Sequence, residues 1–322
     1  MEEDFINFDD CFVRKGAGTG FYYCNSSGNK LSDQAIINRL ESLAVPPDYD
    51  SVHYAKSANN YLQAIATDGC GRLQYFYHPD WRAKQQQKKF DHLKSVGNRL
   101  PRLRSVVDKL VNTNTVESNL DFEIACAIGV WILDRTFIRI GSAEYARDND
   151  SYGLSTLRRR HADINESHVK LDFQGKSRVR QQIEFNNKQI ANWLMLMSDL
   201  SGYEILKYIN DSGQVIDITA GDINTFIRKN SGGVITAKDF RTWHAGVEAI
   251  NFYETIYDLN NLNITDMYEH VANKLGNTVA VVRDYYIHPS VVDHIKSRKP
   301  IPAARRSKWL SKSEVIVKKI IN

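Results

Sequence analysis

The stretch VKLDFQGKSRVRQQIEF, Val169–Phe185, decides how the larger part of this chain folds. Val169, Leu171 and Phe173 alternate with polar residues, and Val179, Ile183 and Phe185 follow after a Gln174-Gly175-Lys176-Ser177 break. A period of two sets one group of side chains on one face of a strand, so two such runs about a glycine-bearing break predict a β-hairpin. Lys176 then stands at its tip. Further along, the period becomes helical. Thr219…Asp222 and Thr236…Asp239 have the spacing of capping boxes, each followed by apolar residues at helical intervals.

Toward the N-terminus the pattern is mixed and strand-rich. Short aromatic or β-branched runs (Phe21–Cys24, Val52–Tyr54, Leu62–Ile65, Leu73–Tyr77) are separated by turn formers such as Ser26-Ser27-Gly28 and Asp68-Gly69. One helix interrupts them, with Ser32 as its expected N-cap and Ile36, Leu40 and Leu43 on one face. Gln85–Lys89 is polar, basic and free of β-formers, and reads as a linker or an exposed helix. The expected fold class is therefore α+β. A small β-rich domain covers residues 1–86, and a larger, mainly α-helical domain with one β-hairpin covers residues 87–322.

A chain of 322 residues is long enough for two domains with cores of their own. Its 42% hydrophobic and 25% charged residues are ordinary for a globular protein. The longest apolar run, Phe122–Leu133, is too short to span a bilayer and contains Glu123, so no membrane partner is expected. Glu2, Glu3 and Asp4 are the opposite of a secretory signal's charged start. The expectation is a protein that stays where it is made. Cys11, Cys24, Cys70 and Cys126 form no CxxC pair and no metal spacing, which reads as reduced thiols. No nucleotide loop of the Walker type, no HExxH and no complete calcium loop is visible, so neither metal nor cofactor is expected.

Charge is unevenly spread. Between Arg82 and Arg104 eight Lys or Arg face one acid, Asp91, and from Lys296 to Asn322 nine face Glu314 alone. Arg158, Arg159 and Arg160 form a third block. One such block is commonly just a solvated face. Three on a chain whose net charge is only +4 suit a phosphate backbone, because each neutralised phosphate releases counterions.

Several segments together carry a resemblance. They are FIRIG (Phe137–Gly141), DSYGLSTLRRRH (Asp150–His161), FQGK (Phe173–Lys176), KDFRTWHAG (Lys238–Gly246) and LGNT…YYIHP (Leu275–Pro289). GTGFYY (Gly18–Tyr23), RLESLAVPPDYDSV (Arg39–Val52), ATDGCGRLQYFYHPDWR (Ala66–Arg82) and LPRLR (Leu100–Arg104) precede them. In this order they resemble type IB DNA topoisomerases, most nearly the small enzymes of poxviruses, giant viruses and bacteria. The resemblance covers nearly the whole chain. It implies an enzyme that acts as a monomer on duplex DNA, with two domains able to close around the duplex. It would relax supercoils by transient single-strand cleavage, a 3′-phosphotyrosyl intermediate, strand rotation and religation, without ATP or metal. The implied location is the nucleoid of a bacterium or, for a virus, the virion or the site of viral DNA.

The residues selected by the resemblance suit that chemistry. Cleaving a phosphodiester without metal needs a nucleophile, positive charge on the non-bridging oxygens and a proton for the leaving oxygen. Tyr286, directly before Ile287-His288-Pro289, is the implied nucleophile, while the adjacent Tyr285 would point about 100° away on a helix. Arg139 and Arg241 are the implied phosphate clamp, since a guanidinium keeps its charge and offers a planar fork of donors. Taken singly, each could instead pair with Asp134 or Asp239. Lys176 is the implied general acid, although a turn lysine alone reads as solvated.

Where many relatives have histidine, nine residues before the tyrosine, this chain has Asn277. Its amide can donate a hydrogen bond to a phosphate oxygen but cannot deliver a proton. Taken alone it is also a good turn residue before a Thr278 cap. Unbroken helix would hold Asn277 and Tyr286 about 13 Å apart, so shared contact with one phosphate requires a bend or a phosphate between them. The resemblance adds Gln74, Tyr75, Tyr77, Tyr145 and Lys238 as DNA contacts. Tyrosine recombinases use a similar Arg/Lys/Arg/Tyr set but usually have His where Lys238 stands. A DNA-binding protein without catalysis is the other alternative, and the complete set of four argues against it.

Overall fold

The aromatic and β-branched runs near the N-terminus form strands. In this computed structural model, which describes residues 10–18, 20–113 and 120–322, the chain divides into two compact units, one ending at Lys89 and the other spanning Phe90–Asn322. The acidic start, Glu2 to Asp4, and Thr19 of the GTGFYY motif lie outside the described residues.

The first unit contains β1 (Cys11–Ala17), β2 (Gly20–Asn25), α1 (Gln34–Ser42), β3 (Asp50–Ala55), β4 (Leu62–Thr67) and β5 (Leu73–Tyr77). The strands make one antiparallel sheet in the order β2-β1-β3-β4-β5. β1 went unread in the sequence because Arg14, Lys15 and Gly16 blur its alternation, yet Val13 sits squarely opposite Cys24 of β2. Leu40 of α1 is fully buried with Phe12, Tyr23 and Tyr54 of the sheet. The cap of α1 is Asp33 and not Ser32: its carboxylate accepts from the amides of Ala35 (2.9 Å) and Ile36 (3.3 Å), and the side chain one residue closer to the helix wins the exposed donors. Arg14 is buried and donates to the carbonyls of Val45, Pro46 and Tyr49, which pins the loop after α1.

Gln85–Lys89 belongs to a helix, α2 (Pro79–Thr113), so the linker reading of that stretch gives way to the helical one. The second unit continues with α3 (Phe122–Thr136), α4 (Ala143–Asn149), β6 (Ala162–Asn165), β7 (His168–Gln174), β8 (Arg180–Asn186) and α5 (Lys188–Asp199). It goes on through β9 (Lys207–Ile209), β10 (Val215–Asp217), α6 (Ala220–Ser231), α7 (Ala237–Glu254), α8 (Ile264–Leu275), α9 (Val279–Tyr285), α10 (Pro289–Lys296) and α11 (Lys312–Ile321). The hairpin expected over Val169–Phe185 is β7–β8, with Leu171 opposite Ile183. β6 adds a third strand that the sequence did not reveal, because only two of its four residues, Ala162 and Ile164, pack inward. Val169, Leu171 and Phe173 are buried on the face covered by α5.

Both capping boxes form as read, Thr219 with Asp222 and Thr236 with Asp239. The second starts α7, which is buried almost all round and packs against α3, α8, α10 and α11. A helix buried on nearly every side belongs at the centre of its domain. Trp243 on α7 lies fully buried against Gly97 of α2, where a Cβ would come within 2.5 Å of the indole. Large side chains buried this completely contribute about 1.5–3 kcal/mol each, so α7 is a stiff mount for whatever it carries. Among the described residues no helix is long and apolar enough to cross a membrane. All four cysteines are free, three of them buried.

Candidate active site

Five side chains from four separate segments meet around α7. Arg139 follows α3, whose C-cap, Phe137, adopts a left-handed conformation (φ 59°) that turns the chain sharply. The loop behind it is held from outside: Leu154 N donates to Arg139 O and Ser155 N to Ile140 O, each at 2.8 Å. Gly153 makes that approach possible, since a Cβ there would lie 2.6 Å from Arg139 O. The neighbouring Tyr152 N donates to Gln174 O (2.8 Å) at the end of β7. The Tyr152–Ser155 segment therefore ties the arginine loop to the hairpin.

Lys176 stands at that hairpin's tip, where Ser177 and Arg178 both take positive φ. A bidentate pair between Asp172 and Arg180 clasps the two strands below the tip, and Gly175 N donates to Val179 O (2.9 Å). Arg241 sits in the second turn of α7 and is buried. It donates to the carbonyls of Phe137 and, at 2.7 Å, Leu275. Neither Arg139 nor Arg241 pairs with Asp134 or Asp239. Asp134 is taken by Arg104 and His244, and Asp239 caps α7.

α8 ends at Gly276 in a left-handed conformation (φ 59°), and Thr278 caps α9. Asn277 thus lies just outside α9, ahead of its cap, and the helix from Val279 to Tyr285 separates it from Tyr286 in the chain. Asn277 lies in the bend, its Nδ2 side of the amide toward the site and its Oδ1 accepting from Arg139 Nη2. Tyr286 is the C-cap of α9, and the Arg241 guanidinium lies 5.6 Å from its ring centre. Burial by itself would raise the phenol's pKa. The Arg241 charge and hydrogen bond, the Arg139 charge and an Asn277 hydrogen bond outweigh burial and leave it below its ordinary value. Burial, and then the charge of Arg241, bring Arg139 down to about 10, so it stays a cation at neutral pH. Arg241 Nε and Asn277 Nδ2 are buried and make no hydrogen bond of full geometry among the described residues. An incoming acceptor oxygen would complete their hydrogen bonding.

Two cavities open on this cluster. One of about 680 Å³ is lined by Arg139, Lys176, Gln181, Asn277 and Tyr286 among others. Another of about 370 Å³ shares Arg139, Lys176 and Tyr286 and adds Tyr145, Lys238 and Arg241. Seven of the ten residues singled out in the sequence therefore line one continuous region. Gln74, Tyr75 and Tyr77 belong to the first unit. There Gln74 is tied to Asp68 (2.9 Å), while Tyr75 and Tyr77 stack at 6.4 Å and Tyr77 stacks on Trp81 at 4.2 Å. Tyr285 is half-exposed on α9.

Some residues next to the site escaped the sequence reading. His288 is a cap: its Nδ1 accepts from Ser290 N (3.0 Å) at the start of α10, with Pro289 in the first turn, a spacing legible in HP. Arg104, counted with the basic block, is buried and donates to Asp134, Glu314 and the Trp309 carbonyl. It is not available to DNA. Lys312 pairs with Glu254 at 2.6 Å. No sequence spacing announces pairs between residues so far apart in the chain.

The comparisons with known proteins agree on one family. A model described as the catalytic core of eukaryotic DNA topoisomerase I matches residues 78–303, well over half of the chain. The chain belongs to the type IB DNA topoisomerase family. A second model, the N-terminal domain of bacterial DNA topoisomerase IB, matches residues 20–68. The chain is 27% identical over 299 residues to DNA topoisomerase 1B of Acanthamoeba polyphaga mimivirus, covering 89% of this chain and 88% of the relative. It is 23% identical over 244 residues to DNA topoisomerase 1B of Vaccinia virus (strain Copenhagen), covering 73% and 72%. The α+β architecture and the enzyme class read from the sequence agree with this membership.

Proposed function

We propose that the chain relaxes supercoiled duplex DNA by two transesterifications on one strand, with Tyr286 as nucleophile. The observation that carries this reading is the convergence of Arg139, Lys176, Arg241 and Asn277 around Tyr286, with the Arg241 guanidinium 5.6 Å from its ring centre. Tyr286 Oη attacks the phosphorus, the bond from phosphorus to the 5′ oxygen breaks, and the phenolic proton is lost to water. The leaving 5′ oxygen takes a proton from Lys176. A 3′-phosphotyrosyl ester and a free 5′-hydroxyl result, the free end swivels, and the same hydroxyl attacks the ester to reseal. Because the ester conserves the bond energy, no nucleotide is consumed.

Arg139 and Arg241 meet the charge on the non-bridging oxygens, and Asn277 donates through Nδ2 without moving a proton. With two guanidiniums at the phosphate, a metal ion has no charge left to neutralise. Tyr145 and Lys238 contact flanking phosphates, and Gln74, Tyr75 and Tyr77 of the N-terminal domain (1–86) contact the groove. The catalytic domain (87–322) holds all five reacting groups, so one chain suffices as a monomer. The test is relaxation of supercoiled plasmid in EDTA without nucleotide. Complete relaxation of both signs is expected. A strict requirement for magnesium or ATP in single-turnover cleavage would sink the proposal.

A further inference from the structure

Three consecutive residues between α8 and α9 each hold a different part of the site. The Leu275 carbonyl accepts from Arg241, and Asn277 Oδ1 accepts from Arg139. Between them lies Gly276, and against it lies Gln181 of β8. A Cβ on Gly276 would come within 2.5 Å of Gln181 Oε1 and 2.8 Å of its Nε2. The same side chain fills a second gap. A Cβ on Gly175 would come within 2.8 Å of Gln181 Cγ. Gln181 thus runs from the glycine that precedes Lys176 to the glycine that precedes Asn277, its methylenes on one and its flat amide on the other. Gly276 also has φ +59°, so neither space nor backbone allows a side chain there.

We propose that Gln181 is a positioning residue that braces the Lys176 hairpin tip against the Gly276 turn, so that the general acid is held in register with Tyr286 and Asn277. The inference rests on the reading of Lys176 as the acid. The turn has two further anchors, Arg241 through Leu275 and Arg139 through Asn277. The bonds at the tip, Gly175 N to Val179 O and the Asp172–Arg180 pair, run between the two strands of the hairpin itself and not to the turn, so loss of Gln181 loosens chiefly Lys176. The only polar contact of the Gln181 amide among those described is a long one, Nε2 to Arg180 O at 3.4 Å. The brace therefore works by shape, and a side chain of similar length without an amide can replace it.

The experiment is single-turnover cleavage of a duplex carrying either oxygen or sulfur at the bridging 5′ position, since sulfur leaves without needing a proton. Gln181→Ala is expected to slow cleavage of the oxygen substrate by between about 10- and 100-fold, the scale of a small misplacement of a reacting group. The defect should largely vanish on the sulfur substrate, and Gln181→Met should restore most of the rate on oxygen. Combined with Lys176→Ala, Gln181→Ala should add almost nothing, because both changes remove one function. Unchanged thermal stability of Gln181→Ala confirms that the fold is intact. Equal slowing on both substrates, a wild-type rate on oxygen, or full additivity with Lys176→Ala would each overturn the brace. Lys176→Ala alone decides the reading beneath it: if sulfur does not rescue that variant, Lys176 is not the acid and the role given to Gln181 falls with it.

Discussion

Arg104→Met removes the guanidinium from a buried cluster and tests how the second unit is held together. Arg104 donates to Asp134 at 2.7 and 2.8 Å, to Glu314 at 2.7 and 3.0 Å, and to Trp309 O at 2.6 Å. Glu314 also accepts from Trp243 Nε1 (2.9 Å), and Asp134 from His244 Nε2 (3.0 Å). Methionine fills the volume but leaves two buried carboxylates facing each other. Removing one partner of a buried pair costs about 3–5 kcal/mol, or roughly 6–20 °C in melting temperature at 2–4 °C per kcal/mol for a unit of this size.

The pH dependence gives the sharper signature. In the wild type, burial is outweighed by Arg104, and both Asp134 and Glu314 titrate below their ordinary values. Their stabilisation is present above the unfolded carboxylate pKa, about 4, and is lost as pH falls through the depressed folded values. Without Arg104, burial prevails, the folded pKa values rise, and the variant loses stability as pH rises from about 4. The gap in melting temperature should be widest near neutrality and narrow toward pH 4.5. Calorimetry at both pH values reads it, and Glu314→Gln, a milder change, should show a smaller deficit of the same kind. A drop below about 2 °C at neutral pH, or a gap independent of pH, would refute the reasoning.

The lowered phenol of Tyr286 predicts a cleavage rate that rises with pH and levels off below pH 10, and Lys substituted for Arg241 should move that plateau upward; a break at or above 10 in the unaltered enzyme would contradict the geometry. Replacing Arg305, Arg306 and Lys308 with glutamine should weaken duplex binding and flatten its salt dependence by about one unit per lost phosphate contact. An unchanged slope in a salt titration would remove that segment from the DNA interface.

The periodic signals were legible in the sequence because they are local. The β7–β8 hairpin, the capping boxes at Thr219 and Thr236 and the strands β2 to β5 each follow from residues within a few positions of one another. What failed to show was long-range. β6 has too few inward residues to announce itself, and β1 carries Arg14, whose burial depends on carbonyls that lie beyond α1. Arg104 looks like one more base in a basic run until Asp134 and Glu314, far along the chain, are brought to it. The site divides in the same way. The resemblance picked out Tyr286, Arg139, Lys176, Arg241 and Asn277 by motif, but the turn at Gly276 that sets the direction of α9 relative to α8 is a backbone event. Gln181 falls on the inward face of β8, in phase with Ile183 and opposite Phe173, so a polar residue in an apolar row was its only signal.

The most direct test of the account is the identity of the covalent link. A short duplex whose cleaved end diffuses away traps the adduct, and peptide mapping by mass spectrometry locates it. The account predicts a 3′-phosphotyrosyl ester on Tyr286, no adduct from Tyr286→Phe despite normal duplex binding, and an adduct from Tyr285→Phe. An adduct on Tyr285, or a link to the 5′ end of the broken strand, would contradict it.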